Sequence, residues 1–205
     1  MIATAVKERT WQRYYTQVGT KPNGLVTSAV RHVSARNRAL DLGSGNGRDS
    51  LYLRKDQDFI VVVSIDSSPA VPKKVPSGIA QHRESIEKFL LARTPPAPKG
   101  DYDLIICVNT LFFFEKETTY RILARMYELL RLGGVMAFNV LGPKDDWAKP
   151  GSGKSFFTYN EMRALKGLYP IVDNVDGFRE VKKLGELASG EEHQWHLFNF
   201  ICKKF

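Results

Sequence analysis

The chain has little of several things that would assign its class at once. Among 205 residues there are two cysteines, Cys107 and Cys202, both in apolar, strand-like runs, and four histidines. His193 and His196 stand three apart in a stretch that reads as strand, where such positions face opposite sides of a sheet. No third ligand group lies near them, so no metal site is expected. No apolar stretch approaches the roughly 18 residues of a membrane span. Lys7, Glu8 and Arg9 come before any apolar run, which argues against a signal peptide and for a soluble, cytoplasmic protein without membrane contact. Internal repeats are missing too. The formal net charge of +8 is scattered between Arg31 and Lys204 rather than gathered on one helix face, so it permits an anionic partner without demanding one. At 43% apolar the chain can fill one core well, and a single domain over residues 1–205 is expected.

What is present concentrates in one place. Ala39-Leu40-Asp41-Leu42 is a short apolar strand with a carboxylate in it, and glycines follow at every second position, Gly43, Gly45 and Gly47. A turn without side chains between strand and helix lets backbone approach a ligand closely, which makes a nucleotide or nucleoside cradle. A dinucleotide fingerprint would need its third glycine where Arg48 stands, so a pyrophosphate reader is disfavoured. Asp66 lies nineteen positions after Gly47, at the end of the β-branched run Phe59 to Ile65, which suits a strand buried on both faces of a parallel sheet. A carboxylate there can accept from both hydroxyls of a ribose. The two elements together describe an adenosine-containing ligand at the carboxyl ends of the strands of a doubly wound sheet.

The stretch Asp41 to Gly47 resembles the first motif of the class I methyltransferases that use S-adenosylmethionine (SAM). The resemblance implies an α/β fold with a mostly parallel seven-stranded sheet, helices on both faces and an antiparallel C-terminal hairpin. In the strand order of that family another strand separates those carrying Cys107 and Cys202, which places the thiols about 10 Å apart, beyond disulfide reach. The longer run Leu40 to Leu53, with Gly45-Asn46-Gly47-Arg48-Asp49-Ser50 inside it, looks like the tellurite-resistance methyltransferases and their thiopurine methyltransferase relatives. Phe156, Phe157 and Thr158 before Glu161, and a closing strand ending in Lys203-Lys204, fit that likeness. It implies methyl transfer from SAM to a small soft nucleophile or carboxylate.

Around the family motif the pattern alternates strand and helix. Strands are expected at Ala39 to Leu42, Phe59 to Ile65, Ile79 to His82, Tyr102 to Val108, Val135 to Val140 and in two C-terminal runs; helices at Leu25 to Val33, Arg48 to Arg54, Glu87 to Leu91, Glu117 to Leu130 and Asn160 to Leu168. Gly133-Gly134 is expected to stop the long helix. Thr94 to Pro98 can only be a loop, and three prolines between Asp66 and Ile79 rule out the full helix that relatives place there. Residues 1–35 are expected to form an N-terminal helical cap and residues 142–158 a mobile loop covering the substrate.

The expected cofactor contacts are Asp41, Gly43, Ser44, Gly45, Asn46, Gly47, Arg48, Asp66, Ser67, Glu84, Ser85, Ile86 and Asn109. Glu84 either meets the adenine amino group or is a helix-start carboxylate favoured by the macrodipole. Tyr14, Tyr15, Phe113, Trp147, Lys154, Phe156 and His196 are candidate substrate contacts. The cluster Trp11, Tyr14 and Tyr15 either folds over the pocket, where a ring face favours a sulfonium, or packs its helix on the domain. His196, Asp145 and Tyr14 could each act as a base, and the sequence assigns none, because a soft or anionic nucleophile needs no base.

Three other functions are weighed against this reading. Enzymes of this fold that methylate a base amine place a proline-containing tetrad after strand four; Cys107-Val108-Asn109-Thr110-Leu111 has none, which argues against nucleic-acid bases while leaving RNA ribose or protein open. Ala148 to Ser155 fits a loose P-loop expression, but no strand directly precedes it and no helix directly follows. A non-catalytic interaction module of the same fold is the third.

Overall fold

The computed structural model describes residues 11–16, 19–68, 75–91, 100–187 and 189–205. Seven strands form one sheet: β1 (Arg38–Leu42), β2 (Val61–Ile65), β3 (Ile79–His82), β4 (Tyr102–Cys107), β5 (Leu130–Leu141), β6 (Phe178–Glu186) and β7 (Glu192–Lys203). Their order is β3-β2-β1-β4-β5-β7-β6, parallel except for β7, which runs antiparallel to both β5 and β6. The order reverses between β1 and β4, and a crevice opens outside the strand ends at that switch point.

Helices cover both faces. On one, α1 (Gly24–Val30) and α2 (Arg48–Lys55) bury Leu25, Val26, Ala29, Val30 and Leu53 against Ala39, Val62, Leu104, Ile106 and Ala137. On the other, α3 (Ile86–Leu91), α4 (Lys116–Leu129) and α5 (Tyr159–Leu168) pack Phe89, Ile122, Met126, Met162 and Leu165 on Leu40, Ile105, Met136 and Phe138. Alternate residues of β5 enter opposite cores, as a period of two requires when both faces are covered. Cys107 and Cys202 are buried free thiols on β4 and β7, with β5 between them. Thr158 begins α5 with a capping box shared with Glu161.

Several expectations need correction. Gly133 and Gly134 do not stop α4, which ends at Leu129. They fall inside β5, where the register against β4 shifts between Tyr102 and Leu104; Gly133 has φ +77°, and a Cβ on Gly134 would lie 2.9 Å from the Arg131 and Tyr102 carbonyl oxygens. Within the segment expected to form an N-terminal cap, α1 is instead a core helix. The two ends of segment 142–158 are tied to the body of the fold. Asp145 accepts from the backbone N–H groups of Trp147 and His196 and bonds the His193 ring at 2.9 Å, while the Lys144 N–H donates to His196 Nδ1. Ser155 and Phe157 N–H groups reach the Phe112 and Leu141 carbonyls. The proline-rich crossover at 69–74 and the loop at 94–98 lie outside the described residues.

Candidate active site

The glycine turn is shaped by β2. The N–H groups of Gly43 and Ser44 both donate to the Ile65 carbonyl, at 2.8 and 3.1 Å, so the turn folds over the end of the neighbouring strand. Gly43, Gly45 and Gly47 all have φ between +54° and +77°, where L side chains are strained. Two of them also admit a neighbour: a Cβ on Gly43 would fall inside the Thr110 side chain, and one on Gly45 would lie 2.9 Å from Tyr15 Cε1. Gly47 then caps α2 with no side-chain bond, leaving the first N–H groups of that helix beside the turn.

Three carboxylates converge here. Asp66, one residue past β2, accepts from the Gly45 N–H at 2.8 Å and the Ser68 N–H at 2.7 Å, one per oxygen, which leaves each a lone pair for a ribose hydroxyl. Asp41 is 4% exposed beneath the turn and accepts from Ser50 Oγ at 2.6 Å. Burial, aided by the charges of Asp49 and Asp66, pushes Asp41 up to about 7. Asp49 accepts from the Asn23 N–H and lies 3.7 Å from Arg48 Nε; burial raises its pKa, as it does that of Asp66. A set of carboxylates whose ionised forms are held at a cost is suited to a cation.

Above the carboxylates lies a cavity of about 470 Å³, a volume usual for small-molecule sites. Gly43, Ser44, Gly45, Asn46, Arg48, Asp66, Ser67, Ser85, Ile86 and Asn109 line it, as do Tyr14, Tyr15 and Phe113. Asp41 and Gly47 lie behind this wall. Glu84 is not in the wall; it lies just before α3, 3.7 Å from His82 Nδ1 and 3.5 Å from Lys88 Nζ. Its neighbour Glu87 is in the wall instead.

Four candidate substrate contacts are not in the wall. Trp147 stands behind Phe113 at 6.4 Å between ring centres, Lys154 Nζ sits 4.1 Å from the Phe113 ring centre and 5.4 Å from that of Trp147, and Phe156 packs in a separate cluster with Leu141 and Leu197. His196 is fully buried and bonds Glu180 Oε1 at 2.9 Å on the hairpin. The sequence placed Trp147, Lys154 and Phe156 by loop membership, but Asp145 turns the loop toward β7. Of the candidate bases only Tyr14 reaches the cavity. Segment 148–155 is preceded by the turn after β5, and the next helix starts only at Tyr159, so the P-loop context is missing.

Lining residues absent from the expected contacts include Asp49, Ser68 and Val108. Trp11 joins Tyr14, Tyr15 and Phe113 with ring-centre distances of 5.4 to 5.9 Å, so the aromatic cluster closes the pocket instead of only attaching a helix. Asp49 carried a signal, following Arg48 in the glycine run, but read as a first-turn helix residue. The described residues His32, Asp173 and Asp176 bring three ligand-type atoms within 4.8 Å of one another on the opposite side; Arg31 and backbone N–H groups already occupy the two carboxylates.

The comparisons agree with this geometry. Residues 39–134, just under half of the chain and containing the glycine turn, Asp66 and β4, match the methyltransferase domain family. No curated protein matches the sequence. Among solved structures the chain is similar to TehB from Haemophilus influenzae, with a TM-score of 0.64 and 19% identity over 95% of this chain and 67% of that one. It is also similar to the 1,6-didemethyltoxoflavin-N1-methyltransferase of Burkholderia thailandensis, solved with 1,6-didemethyltoxoflavin and S-adenosylhomocysteine, at TM-score 0.56 and 16% identity over 88% and 78%. A SAM-dependent methyltransferase from Anabaena variabilis gives 0.58 and 15% over 97% and 95%. The fold is that of the class I methyltransferases that use SAM, and residues 39–134 carry the match to a methyltransferase domain.

The donor set fits that cofactor. Ser44 Oγ is buried in the wall without a hydrogen-bond partner among the described residues, Asp66 keeps lone pairs for a diol, and the carboxylate group favours a cation. No helix of the described residues is long and apolar enough to cross a membrane.

Proposed function

We propose that this protein passes the methyl group of SAM to a small molecule in one in-line displacement. The reading rests on the two-part cavity, polar and carboxylate-lined at the glycine turn and aromatic beyond it. When bound, SAM supplies a methyl already made electrophilic by its sulfonium. The chain's residues then bind, orient and exclude water. Asp66 accepts from the ribose hydroxyls, the N–H-rich turn faces the amino-acid part with Asp41 and Asp49 balancing its ammonium, and Ser85 and Ile86 border the base. Trp11, Tyr14, Tyr15 and Phe113 close the far side, where water would compete with the incoming nucleophile and ring faces favour positive charge. No base is assigned, since alignment of an existing lone pair is what the reaction requires.

A small acceptor is favoured over RNA or protein because the aromatic roof narrows the cavity and the basic residue in its described wall, Arg48, lies against Asp49. The Burkholderia enzyme, solved with 1,6-didemethyltoxoflavin bound, is in keeping with this. A cytoplasmic site of action is part of the proposal. Incubation with SAM carrying a tritiated methyl and separate low-mass, RNA and protein fractions of a cell extract tests it: label is expected in the low-mass fraction. Label confined to RNA or protein would overturn the small-molecule assignment.

A further inference from the structure

Asn109 follows β4 with φ +54°, a left-handed conformation that asparagine adopts more readily than most other non-glycine residues. Here Asn139 of β5, 3% exposed, holds it through two bonds. The Asn109 backbone N–H donates to Asn139 Oδ1 at 2.7 Å, and Asn139 Nδ2 donates to Asn109 Oδ1 at 2.8 Å.

This clasp fixes which way both amides point without ambiguity. A backbone N–H can only donate, so the Asn139 atom that meets it must be oxygen. The other end of Asn139 is then NH2, and the Asn109 atom receiving it must be oxygen as well. What remains of the Asn109 side chain is its NH2, with no hydrogen bond among the described residues, on a residue in the cavity wall between Val108 and Thr110. An amine nucleophile needs an acceptor beside it to take its N–H groups. A donor there leaves an amine unmatched and matches an oxygen or sulfur lone pair, and a site built around one hydrogen-bond polarity rejects the other strongly.

We infer that the Asn109 amide orients the methyl-accepting molecule by donating to a lone-pair-bearing oxygen or sulfur at or next to the methylated atom, and that Asn139 is the positioning residue that sets this polarity. The inference rests on the methyl-transfer reading above and narrows its substrate class to oxyanions, thiolates and their neutral counterparts rather than amines.

The test uses protein saturated with S-adenosylhomocysteine and two matched probes, 4-nitrophenolate and 4-nitroaniline, which present an oxyanion and an amine on one scaffold. In calorimetric titration the phenolate is expected to bind about tenfold or more tighter, and in 15N NMR it should move the Asn109 side-chain NH2 resonance, identified by its loss in Asn109→Asp. Asn139→Asp keeps an oxygen for the Asn109 N–H but cannot donate, so Asn109 should turn its NH2 inward and present oxygen to the cavity. The preference should then vanish or invert, while affinity for S-adenosylhomocysteine stays within about twofold. Equal binding of both probes, binding of neither, or tighter binding of the aniline by the unaltered protein overturns the inference, and these arms do not depend on the variant folding. A preference unchanged in folded Asn139→Asp also overturns it. If Asn109→Ala instead weakens S-adenosylhomocysteine tenfold and leaves the preference intact, the amide serves the cofactor carboxylate and the inference falls. Failure of the unaltered protein to bind S-adenosylhomocysteine is a separate result, which removes the methyl-transfer reading itself.

Discussion

The two ends of the cavity are built in opposite ways. The cofactor end comes from one continuous stretch and its neighbour strand, its shape set by backbone N–H groups of Gly43, Ser44 and Gly45 and its charge by three carboxylates. The end proposed for the acceptor is assembled from the helical residues 11–16 and the turn after β4, and it consists of aromatic side chains packed edge to face or stacked. The first has to match a ligand of fixed chemistry and leaves little room for change. The second has only to exclude water and hold a shape, so different aromatic arrangements can serve different acceptors.

Substitutions graded along the cavity separate the two ends. The largest effect is expected from Gly43→Ala, which places a methyl inside Thr110 at φ +77°. It should abolish measurable binding of S-adenosylhomocysteine in calorimetry and cost about 3 kcal/mol in chemical denaturation, with partial recovery in the double variant with Thr110→Ser. Asp66→Ala should weaken cofactor binding by about 2 to 4 kcal/mol; unchanged affinity would remove Asp66 from the ribose. A third effect follows pH. Asp41 stands at about 7, above the ordinary carboxylate range, so below pH 7 the free protein holds a proton that a cationic ligand must displace. Affinity for SAM should therefore rise with pH, by up to about tenfold per unit below 7, and level off above it. Titrations from acidic to mildly basic pH check this, and Asp41→Asn should flatten the profile.

Trp11→Ala should cost about 1 kcal/mol in SAM affinity and less with the uncharged thioether of S-adenosylhomocysteine, because a ring face distinguishes the two. Equal losses would mean that the ring packs without sensing charge. The smallest effect belongs to Lys154→Ala, outside the described wall: cofactor affinity should stay within about twofold, and neither protein should bind ATP with magnesium. ATP binding lost on this substitution would restore the P-loop alternative.

The same division governs what could be read from the residues alone. The strands, the glycine turn and Asp66 were legible because their constraints are local: β-branched runs, a period of two and positive φ. The break inside β5 was not, because glycines after a helix ordinarily signal its end, and only the register against β4 shows them serving a bulge. Trp147, Lys154 and Phe156 were grouped with the substrate because loops after strand five lie near the crevice. What turns that loop away is Asp145, whose bonds to His193 and His196 join residues 48 and 51 positions apart. The Asn109 clasp is illegible for the same reason, since neither asparagine announces the other thirty residues away.

Gly45 and Tyr15 are fitted to each other, ring against missing methyl, while Asn46 Nδ2 donates to the Tyr15 and Gly19 carbonyls on the far side of the same turn. The glycine is thus demanded by the protein's own roof as much as by any guest. A chimaera that received this N-terminal segment would need the side-chain-free residue and the asparagine beside it, or the tyrosine would have nowhere to rest.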